Sequence, residues 1–182
     1  IGDDESPAEQ PTLTFDVPAN HVACGLGHTC ASFEDGSVRC WGHNNYGQLG
    51  RGDVLDVGDT SPVTALDPLP IEDPVVDITA GHRHTCVRHA NGNIRCWGVN
   101  SHGQLGRGDF ENVGDDEVAS TFTPIDTGGQ VVRVDAGGNN TCVVYDDQRV
   151  RCWGDNVHGQ TGLGPAFATD DGVGDDPDEQ PS

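Results

Sequence analysis

The amino-acid sequence predicts an all-β chain built from tandem repeats, on three observations. Trp41, Trp97 and Trp153 stand 56 residues apart, and Cys30, Cys86 and Cys142, Cys40, Cys96 and Cys152, and the Gly-Gln pairs at Gly47, Gly103 and Gly159 keep the same spacing. Self-similarity at such a period marks stacked supersecondary units, each too small to bury its own apolar face. Glycine supplies 26 of the 182 residues and aromatics only 5%, a composition that disfavours helix and favours turns. Within each period the apolar pattern is short and strand-like, with no long amphipathic stripe.

The middle unit shows the elements in order. "VVDITAG" (75–81) reads as a short strand, and "HTCVRH" and "NIRCWG" read as two more around Ala90-Asn91-Gly92. That triplet predicts a three-residue hairpin loop whose glycine can take a positive φ. Glu34-Asp35-Gly36 matches it in the first unit, whereas Asp146-Asp147-Gln148 in the third lacks the glycine. A glycine-rich turn follows each tryptophan, then an acidic loop, then a proline-flanked apolar stretch such as "TFTPIDT". Three or four short strands per unit predict one blade of a β-propeller. The chain divides into residues 1–20, the end of a preceding repeat, and repeats at 21–76, 77–132 and 133–182, the last ending in its acidic loop. It therefore reads as about three tandem repeats excised from a longer precursor, either part of a larger ring or an open or oligomeric array.

The strings "GHTCASFEDGSVRCWGHNNYGQLG", "GHRHTCVRHANGNIRCWGVNSHGQLG" and "GGNNTCVVYDDQRVRCWGDNVHGQTG" closely resemble the repeat of the regulator of chromosome condensation family, in a secreted, bacterial-like form with paired cysteines. The resemblance covers nearly the whole chain. It implies propeller blades, usually about seven closed into a ring, and a role as a platform for protein contacts. Relatives implied by it include a chromatin-bound nucleotide exchange factor and secreted enzyme inhibitors. Three blades do not close a ring, so matching half-repeats at the two ends suggest head-to-tail joining, which yields a ring or a filament.

Six cysteines form pairs at spacing ten: Cys30 with Cys40, Cys86 with Cys96, and Cys142 with Cys152. Each pair straddles its hairpin loop symmetrically and falls at a non-hydrogen-bonded site, where the Cα atoms approach to about 4.5 Å, within reach of a disulfide. Reduced thiols packed between blades are the alternative; zinc would need closer CxxC spacing and consistently placed histidines. Cys24 stands where the other units carry Ala80 and Ala136, and is expected to be a small buried side chain.

The acidic loops gather Asp53, Asp56 and Asp59, then Asp109, Asn112, Asp115 and Asp116, then Asp170, Asp171, Asp175 and Asp176. Flexible loops rich in carboxylates and glycine suit calcium, the one cofactor suggested, although no loop matches the helix-flanked calcium motif; solvated acidic turns are the competing reading. "RGD" at Arg51 and Arg107 reads as turn chemistry within the repeat rather than as a receptor ligand. The histidines follow the repeat, with His28 and His84 replaced by Asn140 in the third unit, and no nucleophile with a fixed base or phosphate loop can be named. A metal-dependent hydrolase centred on Asp115 is the remaining enzymatic reading; the expectation is a chain with no enzymatic activity.

The formal net charge is -21, and every basic residue is arginine. Such a chain repels phosphate, which argues against nucleic acid and anionic membrane surfaces as partners, and it suits life in high salt. No apolar run is long enough to span a bilayer as a helix. The expected function is an extracellular or cell-surface module for protein–protein interaction, placed outside the cytoplasm by its disulfides. The alternative is a structural protomer of an extracellular fibre or ring, self-associating through its half-repeats with calcium assisting.

Overall fold

The computed structural model describes residues 6–164 and is all-β, with three three-stranded antiparallel sheets and no α-helix among the described residues. The first sheet holds β1 (Ala19–Cys24), β2 (His28–Phe33) and β3 (Val38–Gly42). The second holds β4 (Val75–Ala80), β5 (His84–His89) and β6 (Ile94–Gly98); the third, β7 (Val131–Gly137), β8 (Asn140–Tyr145) and β9 (Val150–Gly154). Each first strand starts two residues ahead of the repeat boundary drawn from the sequence, and each carries a register shift at the same place, as between Val75 and Asp77. A fourth segment closes the outer edge: Leu69 N–H donates to the Val38 carbonyl, and Ile125 N–H to that of Ile94.

The hairpin loops have the expected three residues. Gly36 and Gly92 take φ +81° and +86°, while Gln148 takes φ 73° without being glycine. That left-handed conformation disfavours a residue with a Cβ, so the third hairpin keeps its loop at a local cost. The register pairs Cys30 with Cys40, Cys86 with Cys96 and Cys142 with Cys152 directly across the strands, and all three pairs form disulfides with Cα atoms 4.1 Å apart. Each bridge staples one hairpin within its own unit.

The sheets stack like blades, with β4 lying against β1 and β2, and β7 against β4 and β5. Alternation along the strands gives each sheet two faces. Val22, Thr29 and Trp41, with their counterparts, point toward the preceding unit, and Ala23, His28 and Cys30 toward the following one. Burial follows from that stacking. β5, in the middle of the middle sheet, is buried at five of its six positions on both faces, whereas β1 is exposed at five of six. The core runs continuously through Cys30, Val38, Ile78, Val87, Ile94, Trp97, Leu105, Val134, Val143 and Trp153.

Cys24 departs from expectation: it is a free, exposed thiol. It shares a face with Thr29 and Trp41, and no described unit stacks on that face of the first sheet. Being small did not bury it, because burial at this position is supplied by a neighbour.

Candidate functional site

The string Arg-Cys-Trp-Gly repeats because each side chain has a separate task. Arg39 Nε donates to the Leu66 carbonyl at 2.9 Å, and Arg95 Nε to the Phe122 carbonyl at 3.2 Å, tying the outer segment to its own sheet. Arg39 also lies 4.7 Å over the Phe33 ring, where burial strengthens a cation–π contact. The cysteine makes the staple. The tryptophan crosses to the preceding unit, with Trp97 Nε1 donating to the Gln48 carbonyl and Trp153 Nε1 to that of Gln104, both at 3.0 Å.

Two further side chains complete each seam. Thr85 Oγ1 donates to the same Gln48 carbonyl at 3.0 Å, and His28 Nε2 reaches Thr85 Oγ1 at 2.9 Å. Because the hydroxyl proton is committed to the carbonyl, the imidazole must supply the second proton, so His28 is held as the Nε2–H tautomer. The next seam repeats the relay through His84, Thr141 and Gln104. Burial pushes His28 down to about 4 and His84 to about 3, with nearby His43 and His28 adding smaller like-charge effects to each in turn. These are neutral structural histidines.

The turn after each tryptophan is organised by a buried asparagine. Asn44 Nδ2 donates to the Asp53 carbonyl and to Asp53 Oδ1, its Oδ1 accepts from Leu49 N–H, and its own N–H donates to Asp56 Oδ1. Asn100 repeats the pattern with Asp109, Leu105 and Asn112. Asp53, Asp56, Asp109 and Asn112 therefore spend side-chain oxygens on fixing the turn, and they do not converge on a common point. Asp59 is exposed in the loop beyond. Asp170, Asp171, Asp175 and Asp176 lie outside the described residues. Among the described residues, three carboxylates come together only at Asp115, Asp116 and Glu117, with ligand oxygens within 4.8 Å of one another; Glu117 was missed at the sequence level. The "RGD" tripeptides are turn elements: Arg51 forms a bridge to Val118, and Arg107 lies 3.4 Å from Asp109 and 4.2 Å from the Phe122 ring.

What the scaffold leaves to solvent lies at one end of the sheets. There the turns after β1, β4 and β7 meet the turns after the tryptophans, joined by His43 N–H to the Gly27 carbonyl, Val99 N–H to Arg83 and Asp155 N–H to Asn139. Buried positions repeat, as in Asn44, Asn100 and Asn156, while the outward positions vary. Leu26 corresponds to His82 and Gly138, and Asn45 to Ser101 and Val157. Leu26 and Val157 are 67% and 58% exposed, and Val54, Leu55 and Phe110 add exposed apolar groups on the acidic loops. Arg83 stacks 5.0 Å over Tyr46 across the first seam, giving this end a basic point in an acidic surround. Scattered apolar groups among charges on a rigid frame suit a protein contact face. The hydroxyls of Thr85 and Thr141 stand beside His28 and His84 but are buried in the seams and committed to glutamine carbonyls. Ser101 Oγ lies 3.0 Å from its neighbour His102 Nδ1 at the surface, and the groove between β4 and β7 is an open, polar one lined by Asp77, Thr79, Arg133 and Asp135.

Comparisons with known proteins agree with this architecture. The model of the "Regulator of chromosome condensation (RCC1) repeat" matches residues 20–48, 75–104 and 131–160, and a second model of the same repeat matches 35–88 and 91–144. The human X-linked retinitis pigmentosa GTPase regulator is 35% identical over 148 residues, 81% of this chain and 14% of its own length. The Ultraviolet-B receptor UVR8 of Arabidopsis thaliana is 30% identical over 90% of this chain and 36% of its own length. Among solved structures, yeast RCC1 in complex with Kap60 superposes with a TM-score of 0.66 at 25% identity, over 87% of this chain and 36% of that one. The chain thus spans between about a seventh and about a third of the length of these relatives.

Proposed function

The chain belongs to the family of regulator of chromosome condensation repeats, and from that premise we propose that it is a non-enzymatic, extracellular or cell-surface module that binds another protein. The observation that carries the reading is the division of labour within the repeat. Positions that hold the seams and turns recur from unit to unit, and positions that vary are exposed together at one end of the sheets. Among solved relatives, yeast RCC1 binds Kap60, and Prp20p has binding properties toward Gsp1p and histones, which supports protein contact as the use of such a surface. An extracellular setting is supported by three disulfides in a chain of 182 residues, since cytosolic thiols are kept reduced. The net charge of -21 selects partners that present a basic surface, bound with strong salt dependence. Among the described residues, the place where calcium would fit this reading is the cluster of Asp115, Asp116 and Glu117.

The experiment is affinity capture from the source's extracellular fraction with the oxidised chain, followed by mapping protected side chains on both ends of the sheets. Protection of Leu26, Arg83 and Val157 together with loss of capture in a Leu26→Asp, Val157→Asp variant is expected. Protection at the hairpin loops instead, or capture unaffected by that variant, would refute the assigned face; alkylatable cysteines at positions 30, 86 and 142 in freshly isolated protein would refute the location.

A further inference from the structure

We propose that Asn91 is a site of spontaneous covalent modification: the Gly92 backbone nitrogen displaces its side-chain amide as ammonia, and the middle hairpin passes into aspartyl and isoaspartyl forms. The loop lies at the hairpin end of the sheets, away from the proposed contact face, so the modification is independent of what that face binds.

Asn91-Gly92 is the one Asn-Gly step in the chain, and every other asparagine precedes a residue with a Cβ. Glycine leaves its nitrogen unhindered and its backbone free to swing toward the Asn91 side chain. The reaction balances with water alone. A solvent base takes the Gly92 N–H proton, the nitrogen bonds to Asn91 Cγ, and the bond from Cγ to the side-chain nitrogen breaks, releasing ammonia. Water then opens the cyclic imide. Cleavage at Cγ restores the chain with an aspartate, whereas cleavage at the Asn91 carbonyl carbon leaves the chain running through Cγ as isoaspartate.

The middle loop is exposed and lightly held. Asn91 Oδ1 accepts from Asn93 N–H at 3.0 Å, and Gly92 N–H donates to the His89 carbonyl at 2.9 Å. From the next unit, the exposed Gln130 side chain lies across Gly92 and donates from Nε2 to the Asn91 carbonyl at 3.3 Å. Breaking two local hydrogen bonds and lifting one glutamine side chain frees the loop, the kind of small opening that exposed turns make at low cost.

The first loop, Asp35-Gly36, is pinned further. Val75 N–H donates to the Gly36 carbonyl at 3.0 Å, and Pro74 packs so close that a Cβ on Gly36 would come within 2.7 Å of its ring. Ser37 donates its N–H and its hydroxyl to Asp35 Oδ1 at 3.0 and 2.6 Å, and these bonds hold the carboxyl below its usual range. A carboxylate resists the attack because it would have to expel oxide rather than ammonia or water. In the third loop Asp147 precedes Gln148, whose side chain obstructs the approach.

The two products differ in what they do to the sheet. Aspartate is what the first and third loops already carry, and Asp35 and Asp147 accept the same N–H two residues on that Asn91 accepts. Isoaspartate adds a carbon to the backbone of a hairpin loop whose length fixes the register. It also converts the carbonyl that Gln130 holds into a branching carboxylate, which loosens the edge where the second and third units meet.

Ageing the oxidised chain in mildly alkaline buffer, followed by reduction, cleavage at arginine and mass spectrometry that separates isoaspartyl from aspartyl peptides, tests this. In peptide 89–95, Asn91 is expected to lose its amide at least about tenfold faster than any other asparagine, to yield both products, and to react faster still in Gln130→Ala. Asp35 should stay unisomerised over the same time. Asn91→Asp should unfold at the same urea concentration as the fresh chain, and the isoaspartyl fraction at a lower one. An Asn91 amide as durable as that of Asn139, conversion to aspartate without isoaspartate, or Asp35 isomerising as fast as Asn91 would overturn the proposal.

Discussion

The middle and third units carry the same hairpin, the same disulfide and the same tryptophan, yet their turns differ in fate. Gln104 and Leu105 are wholly buried, and a Cβ on Gly106 would press on Trp153. In the third unit Gln160 is exposed and Gly159, Gly162 and Gly164 face open space. The first unit shows the complementary deficit at Trp41 and Val22. What buries a turn in this molecule is the Trp and Thr of the unit that follows, and what buries a tryptophan is the unit that precedes. Stability is thus held in nearest-neighbour seams as much as in the blades themselves, as expected of a quasi-one-dimensional repeat.

The largest effect should come from breaking an internal seam against an open face. Trp97→Ala removes a fully buried indole and its hydrogen bond and should cost about 3–5 kcal/mol, whereas Trp41→Ala should cost less than half as much; equilibrium urea unfolding of the oxidised chain reads both. Equal costs would show that the tryptophan works within its own blade.

Acid should act on the same seams. His28 and His84 have native values lowered to about 4 and about 3 from 6.5, so the unfolded chain binds more protons between those limits. Their contribution to stability is complete above about pH 6.5 and is lost as the pH falls through the window, ending near pH 4 for His28 and pH 3 for His84. The third unit already carries Asn140 at this position, and His84→Asn should flatten the acid side of the stability profile relative to the parent. Protonation of the many carboxylates is common to both chains, so their difference isolates the seam.

A smaller contrast separates the two threonines. Thr85→Val deletes the hydroxyl that links His28 to the Gln48 carbonyl, leaves a buried N–H without a partner, and should cost about 1–3 kcal/mol. Thr29→Val, on the open face, should stay within about 0.5 kcal/mol. The smallest effect runs the other way: Gln148→Gly relieves a left-handed residue and should stabilise the third hairpin by about 0.5–1 kcal/mol, visible as slower amide exchange at Tyr145 and Arg149. No gain, with Gly92→Gln equally harmless in the middle unit, would mean that these loops tolerate the conformation freely.

Much of this was legible in advance, and the legible part is local. A spacing of ten around a three-residue loop sets which cysteines face each other, because strand side chains alternate with period two and the loop sets the register. The strands, the loop glycines and the repeat followed from the same short-range rules. The acidic loops were harder to read: a run of aspartates looks alike whether it holds a cation or caps a turn, and only the fold brought Asp53 and Asp56 to Asn44 while leaving Asp59 outside. Cys24 misled for a related reason, since Ala80 and Ala136 are themselves only half-buried, and by units that stack against them.

The sequence by itself determined the unit: three hairpins, their register, which cysteines face each other, and a net charge of -21. Tertiary structure alone decided the seams, because the atoms that meet there are separated by 37 to 57 residues and share no pattern within one repeat. Their pairing is set by how one twisted sheet lies on the next, and a single carbonyl receiving a tryptophan and a threonine from the following unit has meaning only once that stacking exists.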